Sequence, residues 1–306
     1  MKLLKKILAE EMPFLFVCPA LLWQFFFLYI PFAILILHSV FDYLPEVGYT
    51  LTSSYYLQIF NSLYIQVILR SFFLATLTAF ICFLIAYPVA YFLAMKGPKK
   101  YKPFFLFSLI LPSWTSLIVQ VYAWFFLLEK NGFISRTLQK IGLISPNFHL
   151  LNNYFSILLG MVSCYLPFMI LPLYAVLEKM DKRYLEASGD LGADRYQTFK
   201  RIVFPLSLPG VYAGLLLVFI PSFGEFAIPT LLGGSKHIFW GNIIVDKFLR
   251  SQDWRSGAAL AVVGLMFPVL LMVSSYCCSK IIAWYKERKN RLDYGQNGNN
   301  AKEFWG

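Results

Sequence analysis

The stretch KRYLEASGDLGADRYQTFKRIVFPLSLPG, from Lys182 to Gly210, decides how this chain is organised. It is rich in charged and polar residues, and it separates two long apolar segments. Connections between helices are usually shorter than this, or they are plain solvated linkers. This stretch carries the start and stop signals of helices, so it predicts a folded element and not a linker.

The first half of the stretch predicts a short helix that starts after Asp181 and ends at Gly192. A carboxylate before the first turn can accept a hydrogen bond from a free backbone N–H group. Tyr184, Leu185 and Ser188 then follow on one helical face by their spacing. A glycine just past the last turn commonly ends a helix, because it adopts positive φ without strain.

The second half predicts another helix, which starts at Asp194 with Gln197 three residues later in capping-box spacing. Pro205 is expected to stop this helix and redirect the chain into the membrane. Two short helices joined at a glycine and held at a membrane surface form an elbow (residues 181–205) suited to docking a partner. The alternative is an amphipathic hairpin that lies in the membrane interface and binds no partner.

The spacing within the elbow resembles the "EAA" cytoplasmic loop of ATP-binding-cassette importer permeases. Glu-Ala-Ser at 186–188 is followed by three residues, Gly192, nine residues and then Ile-Val-Phe-Pro at 202–205. Ser188 stands where Ala is usual, and Phe204 stands where Leu is usual. The resemblance implies that Glu186 and Gly192 anchor contact with an ATPase subunit. The implied coupling residues are Glu186, Ala187, Ser188, Gly192, Ile202 and Pro205.

Five stretches extend the resemblance to the permease subunits of spermidine/putrescine importers, particularly the first of the two permeases in such systems. It implies an all-α polytopic membrane protein with a type I importer core, working with two ATPase subunits, a second homologous permease and an external substrate-binding protein. The stretches are AYPVAYFLA (86–94), LPSWTSLIVQVYAW (111–124), LPLYAVLEKMDKRYLEASGDLGA (171–193), FGEFAIPTLLGG (223–234) and DWRSGAALA (253–261).

The composition is that of a membrane protein. Of 306 residues, 58% are hydrophobic and only 14% are charged, whereas soluble domains carry about 25% charged residues. The net charge of +11 does not indicate nucleic-acid binding, because the basic residues lie between apolar segments and do not gather on one polar face. The five cysteines fall in apolar segments and have no metal-ligand spacing with the three histidines.

Six segments are apolar over about 20 residues, the length that spans a bilayer. They predict three parts: residues 1–66 with the first span and an external loop, the permease domain 67–284, and a disordered cytoplasmic tail 285–306. The predicted spans are about Phe14–Phe41, Val67–Met95, Phe104–Leu128, Tyr154–Leu177, Leu206–Leu232 and Gly257–Trp284.

The basic residues predict the orientation of these spans. If both termini lie in the cytoplasm, the cytoplasmic flanks hold 19 of the 27 Lys and Arg residues. Cytoplasmic loops carry such an excess, so the sequence places both termini and the elbow inside a plasma (inner) membrane.

The sequence lacks the compact motifs of enzymes. No G-x-x-x-x-G-K-(S/T) pattern occurs, and GGSKH at 233–237 has the wrong spacing for one. A nucleophile elbow, an H-E-x-x-H pair and a dinucleotide fingerprint are also missing. We therefore expect no enzyme activity and no cofactor in this chain, with ATP bound by a partner subunit.

The fifth predicted span contains a G-x-x-x-G pair, Gly210 and Gly214, that permits close helix packing. It also contains the carboxylate of Glu225, and an ionisable residue within a membrane span indicates function. The alternative is a carboxylate near the interface, or one capped by backbone at the FGEF bend. A polyamine path needs anionic and aromatic groups. The other candidates for it are Trp114, Tyr122, Trp124 and Asp253.

Three other functions stay open at this point. An importer of the same type for ferric iron, thiamine or an anion would share the elbow, although Glu225 argues against an anion. An ATP-independent secondary transporter would need no ATPase and usually has inverted repeats, which are not found here. A membrane enzyme is disfavoured by the missing motifs. Association with an ATPase separates the importers from the other two.

Overall fold

The computed structural model describes residues 17–44, 48–98, 100–145, 148–181, 183–270 and 273–274. The predicted disordered tail, 285–306, lies outside the described residues. The helices are α1 (Val17–Val40), α2 (Ser54–Ile59), α3 (Ser62–Lys96), α4 (Lys102–Ile110), α5 (Leu117–Leu128), α6 (Phe133–Lys140), α7 (Tyr154–Glu178), α8 (Arg183–Asp190), α9 (Arg195–Phe223), α10 (Ala227–Leu232), α11 (Trp240–Val245) and α12 (Trp254–Leu270).

The prediction of a helical membrane protein is confirmed. Five stretches in the described residues are long and apolar enough to cross a membrane: α1, α3, α5 with α6, α7 and α9. A sixth apolar helix, α12, is shorter in the described part of the chain, so the count of six spans stays a prediction. Within the described residues, the addition to the all-α expectation is an antiparallel pair of strands, β1 (Phe41–Leu44) and β2 (Gly48–Leu51).

The third predicted span was wrong in extent. The segment 104–128 does not form one helix, because a 3₁₀ turn at Leu111–Trp114 separates α4 from α5. The Ser113 hydroxyl donates to the Ile110 carbonyl at 2.7 Å, and the Thr115 hydroxyl donates to the Pro112 carbonyl at 2.7 Å. Such local bonds compete with the helical ladder, and Pro112 cannot donate to that ladder at all.

The chain divides into two compact units, Met1–Leu260 and Ala261–Gly306. In the first unit α7 packs between α3 and α9 and forms the core with them. Small residues line the buried face of α3, among them Ala79, Cys82, Ala86 and Ala90. Of the second unit, the described residues are the last part of α12 and residues 273–274.

The G-x-x-x-G pair lies where α9 meets α7, as predicted. A Cβ atom on Gly210 would stand 2.9 Å from the Pro172 carbonyl oxygen, and one on Gly214 would stand 2.4 Å from the Met169 sulfur. A Tyr87–Ser207 hydrogen bond of 2.9 Å joins α3 to α9 nearby. Helices α7 and α9 therefore pack backbone to backbone, and α9 has little freedom to move independently of α7.

The long helix α1 contacts the rest of the first unit at its C-terminal end. None of its apolar window is buried. The Ser39 hydroxyl bonds to the Tyr56 hydroxyl at 2.7 Å. Asp42, which follows α1, pairs with Arg255 at the start of α12 and accepts a 3.0 Å hydrogen bond from Tyr55. These contacts fix the C-terminal end of α1, and the apolar side chains along the rest of the helix are exposed.

Replacing Gly210 with Leu tests the α7–α9 contact. The new side chain must displace backbone at Pro172, so we expect a loss of about 1–3 kcal/mol in stability, typical of overpacking. Thermal unfolding of the detergent-purified protein, followed by size-exclusion chromatography, measures it. Tyr212→Leu is the control, because Tyr212 lies on the same helix and is 62% exposed. Equal unfolding temperatures for the two variants would contradict the close approach.

Candidate functional site

The first half of the elbow forms as the sequence predicts. The Asp181 carboxylate accepts a 3.0 Å hydrogen bond from the Arg183 N–H group and so caps the start of α8. At the other end, the Ala193 N–H group donates to the Ser188 carbonyl and the Gly192 N–H group donates to the Gly189 carbonyl, at 3.1 and 2.9 Å. This pair of bonds is a Schellman motif. It places Gly192 at φ 75°, where a glycine is strongly favoured.

The second half starts at the predicted cap. The Asp194 side chain accepts a 2.6 Å hydrogen bond from the Gln197 N–H group at the first turn of α9. A carboxylate at this position also faces the positive end of the helix dipole. Only residues 191–194 separate α8 from α9, so the elbow is a tight turn between two capped helices.

The two faces of α8 differ. Glu186 and Ala187 are exposed, whereas Ser188 is buried and Leu185 packs partly buried against the core. Tyr184, which the spacing puts on the same helical face, is 56% exposed. The cause is that α8 contacts the rest of the protein along a narrow stripe centred on Leu185 and Ser188. The exposed face is free to meet another protein.

Pro205 does not stop the second helix, which corrects the sequence-based expectation. Helix α9 runs through it as one 29-residue element. A π turn at Phe199–Val203, closed by the Phe204 N–H group on the Phe199 carbonyl, comes immediately before it. The wider turn shifts the hydrogen-bond register where Pro205 has no N–H group to donate, so the helix continues without a break. Ile202 is half-buried in this turn and Pro205 is exposed.

The predicted fifth span, 206–232, is interrupted at the FGEF sequence. Helix α9 ends at Phe223, and α10 starts at Ala227. Glu225 lies in the break, half-buried. Its Oε1 atom accepts N–H bonds from Phe226, Ala227 and Ile228, at 3.0, 2.8 and 3.4 Å. The backbone capping considered for Glu225 is therefore present.

The second carboxylate oxygen of Glu225 faces α7. The Tyr165 hydroxyl donates to Oε2 at 2.5 Å across the gap between the two helices. A carboxylate has about four acceptor positions, so Oε2 keeps one for a further donor. The site holds a carboxylate oriented by four protein donors.

Helix α11 holds this break in place from the other side. A Cβ atom on Gly241 would come within 2.3 Å of the Gly224 carbonyl oxygen, so only a glycine allows this approach. The Asn242 amide donates to the Phe226 carbonyl at 3.1 Å and to the Thr230 hydroxyl at 2.7 Å. Sequence reasoning missed Asn242, because its partners lie 12 and 16 residues away and no short motif marks them.

A cavity of about 630 Å³ opens beside α10 and α11. It contains the predicted Tyr122, which is 44% exposed, and the acidic Asp246, which the sequence analysis did not identify. Asp246 forms an exposed pair with Arg250 at 3.6 Å. The other lining residues are Ile118, Phe226, Ala227, Thr230, Leu231, Gly234, His237, Ile238, Asn242, Ile243 and Val245.

The remaining predicted path residues lie apart from this cavity's lining. Trp114 is 72% exposed in the 3₁₀ turn, with its ring edge-on to Phe107. Trp124 packs partly buried against the core. Of the five predicted path residues, all of which are described, Tyr122 lines this cavity, and the lining also includes Phe226 and Ala227, the two residues after Glu225.

Asp253 starts α12. Its Oδ1 atom accepts from the Ser256 N–H group at 3.2 Å, and its Oδ2 atom pairs with Lys247 at 3.1 Å. Burial raises the pKa of this carboxyl, but the hydrogen bonds from Ser256 and Lys247 outweigh it and hold the pKa below its ordinary value. Both oxygens therefore have protein partners.

Long apolar helices around a shared core, with one folded elbow between two of them, define a polytopic membrane protein. Comparison with known proteins gives the family. The chain belongs to the binding-protein-dependent transport system inner membrane components, whose family model matches residues 86–282. It is therefore a membrane component of a transport system and not an enzyme.

Relatives at higher identity carry a more specific name. The chain is 37% identical over 262 residues to the spermidine/putrescine transport system permease protein PotB of Haemophilus influenzae. The aligned region covers 85% of this chain and 91% of that protein. The chain is 35% identical to the PotB protein of Escherichia coli, over 85% of this chain and 95% of that protein. The resemblance predicted from the sequence is confirmed.

Solved structures support the fold. A bacterial ABC transporter involved in import of the acidic polysaccharide alginate aligns with a TM-score of 0.73 at 17% identity, over 92% of this chain and 99% of that chain. The alginate transporter in complex with a periplasmic protein bound to an alginate pentasaccharide aligns with a TM-score of 0.67, also at 17% identity, over 89% of this chain and 95% of that chain. At this identity the likeness concerns the fold alone.

Replacing Gly192 with Ala tests the turn of the elbow. An alanine at φ 75° costs about 1–2 kcal/mol, so we expect faster amide hydrogen exchange at residues 189–194. Gly189→Ala is the control, because Gly189 has normal helical geometry and open space around it. Equal exchange in both variants would contradict the strained turn.

Proposed function

We propose that this chain is a permease subunit of an ATP-driven importer that carries polyamines, such as spermidine and putrescine, across the plasma (inner) membrane. The observation that carries the proposal is the 37% identity to a protein of that name over 85% of this chain and 91% of that protein. A match over almost the whole length concerns the entire translocating subunit and not one shared segment.

The proposed assembly contains two ATPase subunits, a second homologous permease and an external substrate-binding protein. The description of the family as binding-protein-dependent supports the last of these. The sequence has no phosphate-binding loop, which supports placing ATP on partner subunits. The excess of Lys and Arg on one set of flanks supports termini and an elbow in the cytoplasm, where ATPase subunits lie.

We propose that the exposed face of α8, with Glu186 and Ala187, contacts an ATPase subunit. Glu186 is solvent-exposed and can pair with a basic residue of that partner. Motion of the docked α8 then passes through Gly192 into α9, which is one continuous helix with Ile202 and Pro205 inside it. Because α9 packs closely on α7, the motion reaches Tyr165 on α7 and Glu225 just past the end of α9. Packed elements of this kind shift as rigid bodies.

For the substrate path we propose Glu225 as the anionic contact for an ammonium group. Its carboxylate is oriented by backbone N–H groups and by Tyr165, and Oε2 keeps an acceptor position. Tyr122 supplies an aromatic face in the adjoining cavity, and aromatic faces attract cations. Trp114, Trp124 and Asp253 stay proposed members of the path, although Trp124 packs on the core and Asp253 is bonded to Lys247 and Ser256.

Glu186→Lys tests the docking face. Reversing this charge should remove an ion pair with the partner, so ATPase subunits should no longer co-purify and ATP-driven spermidine uptake should fall at least tenfold. The measurement uses proteoliposomes that hold the complete assembly, with binding protein added. Glu129→Lys is the control, because it reverses an exposed charge far along the chain from the elbow. Normal association and uptake in Glu186→Lys would contradict the docking role.

Glu225→Gln tests the carboxylate. The amide oxygen can still accept the backbone N–H bonds, but the charge is lost, which removes a charge-assisted bond of about 1.5–3 kcal/mol. We expect spermidine uptake to fall about tenfold or more while assembly and basal ATPase activity stay intact. Tyr165→Phe keeps the charge of Glu225 and removes one hydrogen-bond donor to it. Spermidine uptake by this variant should therefore stay closer to that of the wild type than uptake by Glu225→Gln.

The same assay decides between the proposed substrates. Unchanged uptake in Glu225→Gln would remove that residue from the path. ATP-coupled activity with no response to spermidine or putrescine would contradict the substrate class, and an importer for ferric iron or thiamine would replace it. Uptake that needs no ATPase subunit would contradict the importer and indicate a secondary transporter.

A further inference from the structure

The hydroxyl of Ser188 connects the two helices of the elbow. The side chain lies on the buried face of α8 with 4% of its surface exposed. Its Oγ atom is 2.5 Å from the Oγ1 atom of Thr198, which lies in the first turns of α9.

The direction of this bond follows from the partners of Thr198. The Thr198 hydroxyl donates to the Asp194 carbonyl at 2.9 Å. A hydroxyl has a single hydrogen to donate, so Thr198 accepts from Ser188. The result is a chain of donors that runs from Ser188 through Thr198 to Asp194. The Asp194 side chain in turn caps α9 through the Gln197 N–H group.

The residues of the turn between the helices make few side-chain contacts of their own. Leu191 is 88% exposed, and a Cβ atom on Gly189 or Gly192 would meet no other atom within 4 Å. The backbone bonds of the Schellman motif hold the end of α8, but they join residues of one turn. Among the described residues of the elbow, the Ser188–Thr198 bond is the side-chain hydrogen bond that joins α8 to α9.

We infer that Ser188 is a positioning residue whose bond to Thr198 fixes the angle between α8 and α9. With the angle fixed, a displacement of the docked α8 moves α9 by the same amount. Without it, part of the displacement is absorbed at Gly192, and ATP is hydrolysed without transport. The inference rests on the proposed coupling role of the elbow and adds to it the residue pair that makes the coupling rigid.

The functional test compares Ser188→Ala, Thr198→Val and the double variant in proteoliposomes that hold the complete assembly. A buried hydrogen bond has a net value that corresponds to about a two- to tenfold change in an equilibrium. We expect the ATP hydrolysed per spermidine transported to rise by about that factor in each single variant, with ATPase subunits still co-purifying. The double variant should be no worse than either single one, because each already removes the same bond.

Thr137→Val is the matched control. The Thr137 hydroxyl also donates to a carbonyl four residues earlier in its own helix, at 2.7 Å, but it is exposed and makes no link to another helix. An unchanged ratio of ATP to spermidine in Ser188→Ala and Thr198→Val would overturn the inference. Additive losses in the double variant would do so as well. A purely structural loss would lower transport and ATPase activity together and leave the ratio unaltered.

A second measurement separates this inference from the proposed function. Spin labels at the exposed Tyr184 and Tyr196 report the distance between α8 and α9, in a chain whose five cysteines are replaced. Ser188→Ala should broaden the distance distribution relative to the parent, and Thr137→Val should not. An equally narrow distance distribution in Ser188→Ala would overturn the inference that the Ser188–Thr198 bond fixes the angle between α8 and α9. A broad one, with no ATP-coupled uptake in any variant, would contradict the proposed function alone.

Discussion

The continuity of α9 is the constraint on which the rest of the structure depends. A proline at position 205 would ordinarily end or kink a helix, because it lacks an N–H group and its ring clashes with the preceding turn. The π turn at Phe199–Val203 removes that conflict one residue earlier in the chain. The elbow and the membrane segment therefore share one helix, and no flexible joint lies between them.

A carboxylate lies close to each end of this helix. Asp194 caps the start, where the elbow turns. Just past the end, Glu225 caps the next short helix and accepts the Tyr165 hydroxyl from α7. Between these points Gly210 and Gly214 bring the backbone against α7. The close packing makes α9 and α7 move together, which links a contact at the elbow to the half-buried carboxylate of Glu225.

Local signals in the sequence predicted the parts of this arrangement that depend on near neighbours. The caps at Asp181 and Asp194 and the positive φ of Gly192 each involve residues within a few positions, and the structure confirms them. The continuous helix through Pro205 was not predictable in the same way, because a π turn has no fixed sequence signature. The contact of Glu225 with Tyr165 and the bonds of Asn242 join positions that are distant in the chain, so the aromatic candidates could be named but not assembled into one site.

The most direct test measures the distance between two positions of α9, one on each side of Pro205, during the ATP cycle. Spin labels at the exposed positions Tyr196 and Leu217 stand on either side of Pro205 and, on a straight helix, are about 32 Å apart along its axis. We expect one narrow distance distribution that is unchanged when a non-hydrolysable ATP analogue is added to the complete assembly. A distribution that broadens or shifts by several ångströms with the nucleotide would place a hinge at the π turn and contradict rigid coupling through α9.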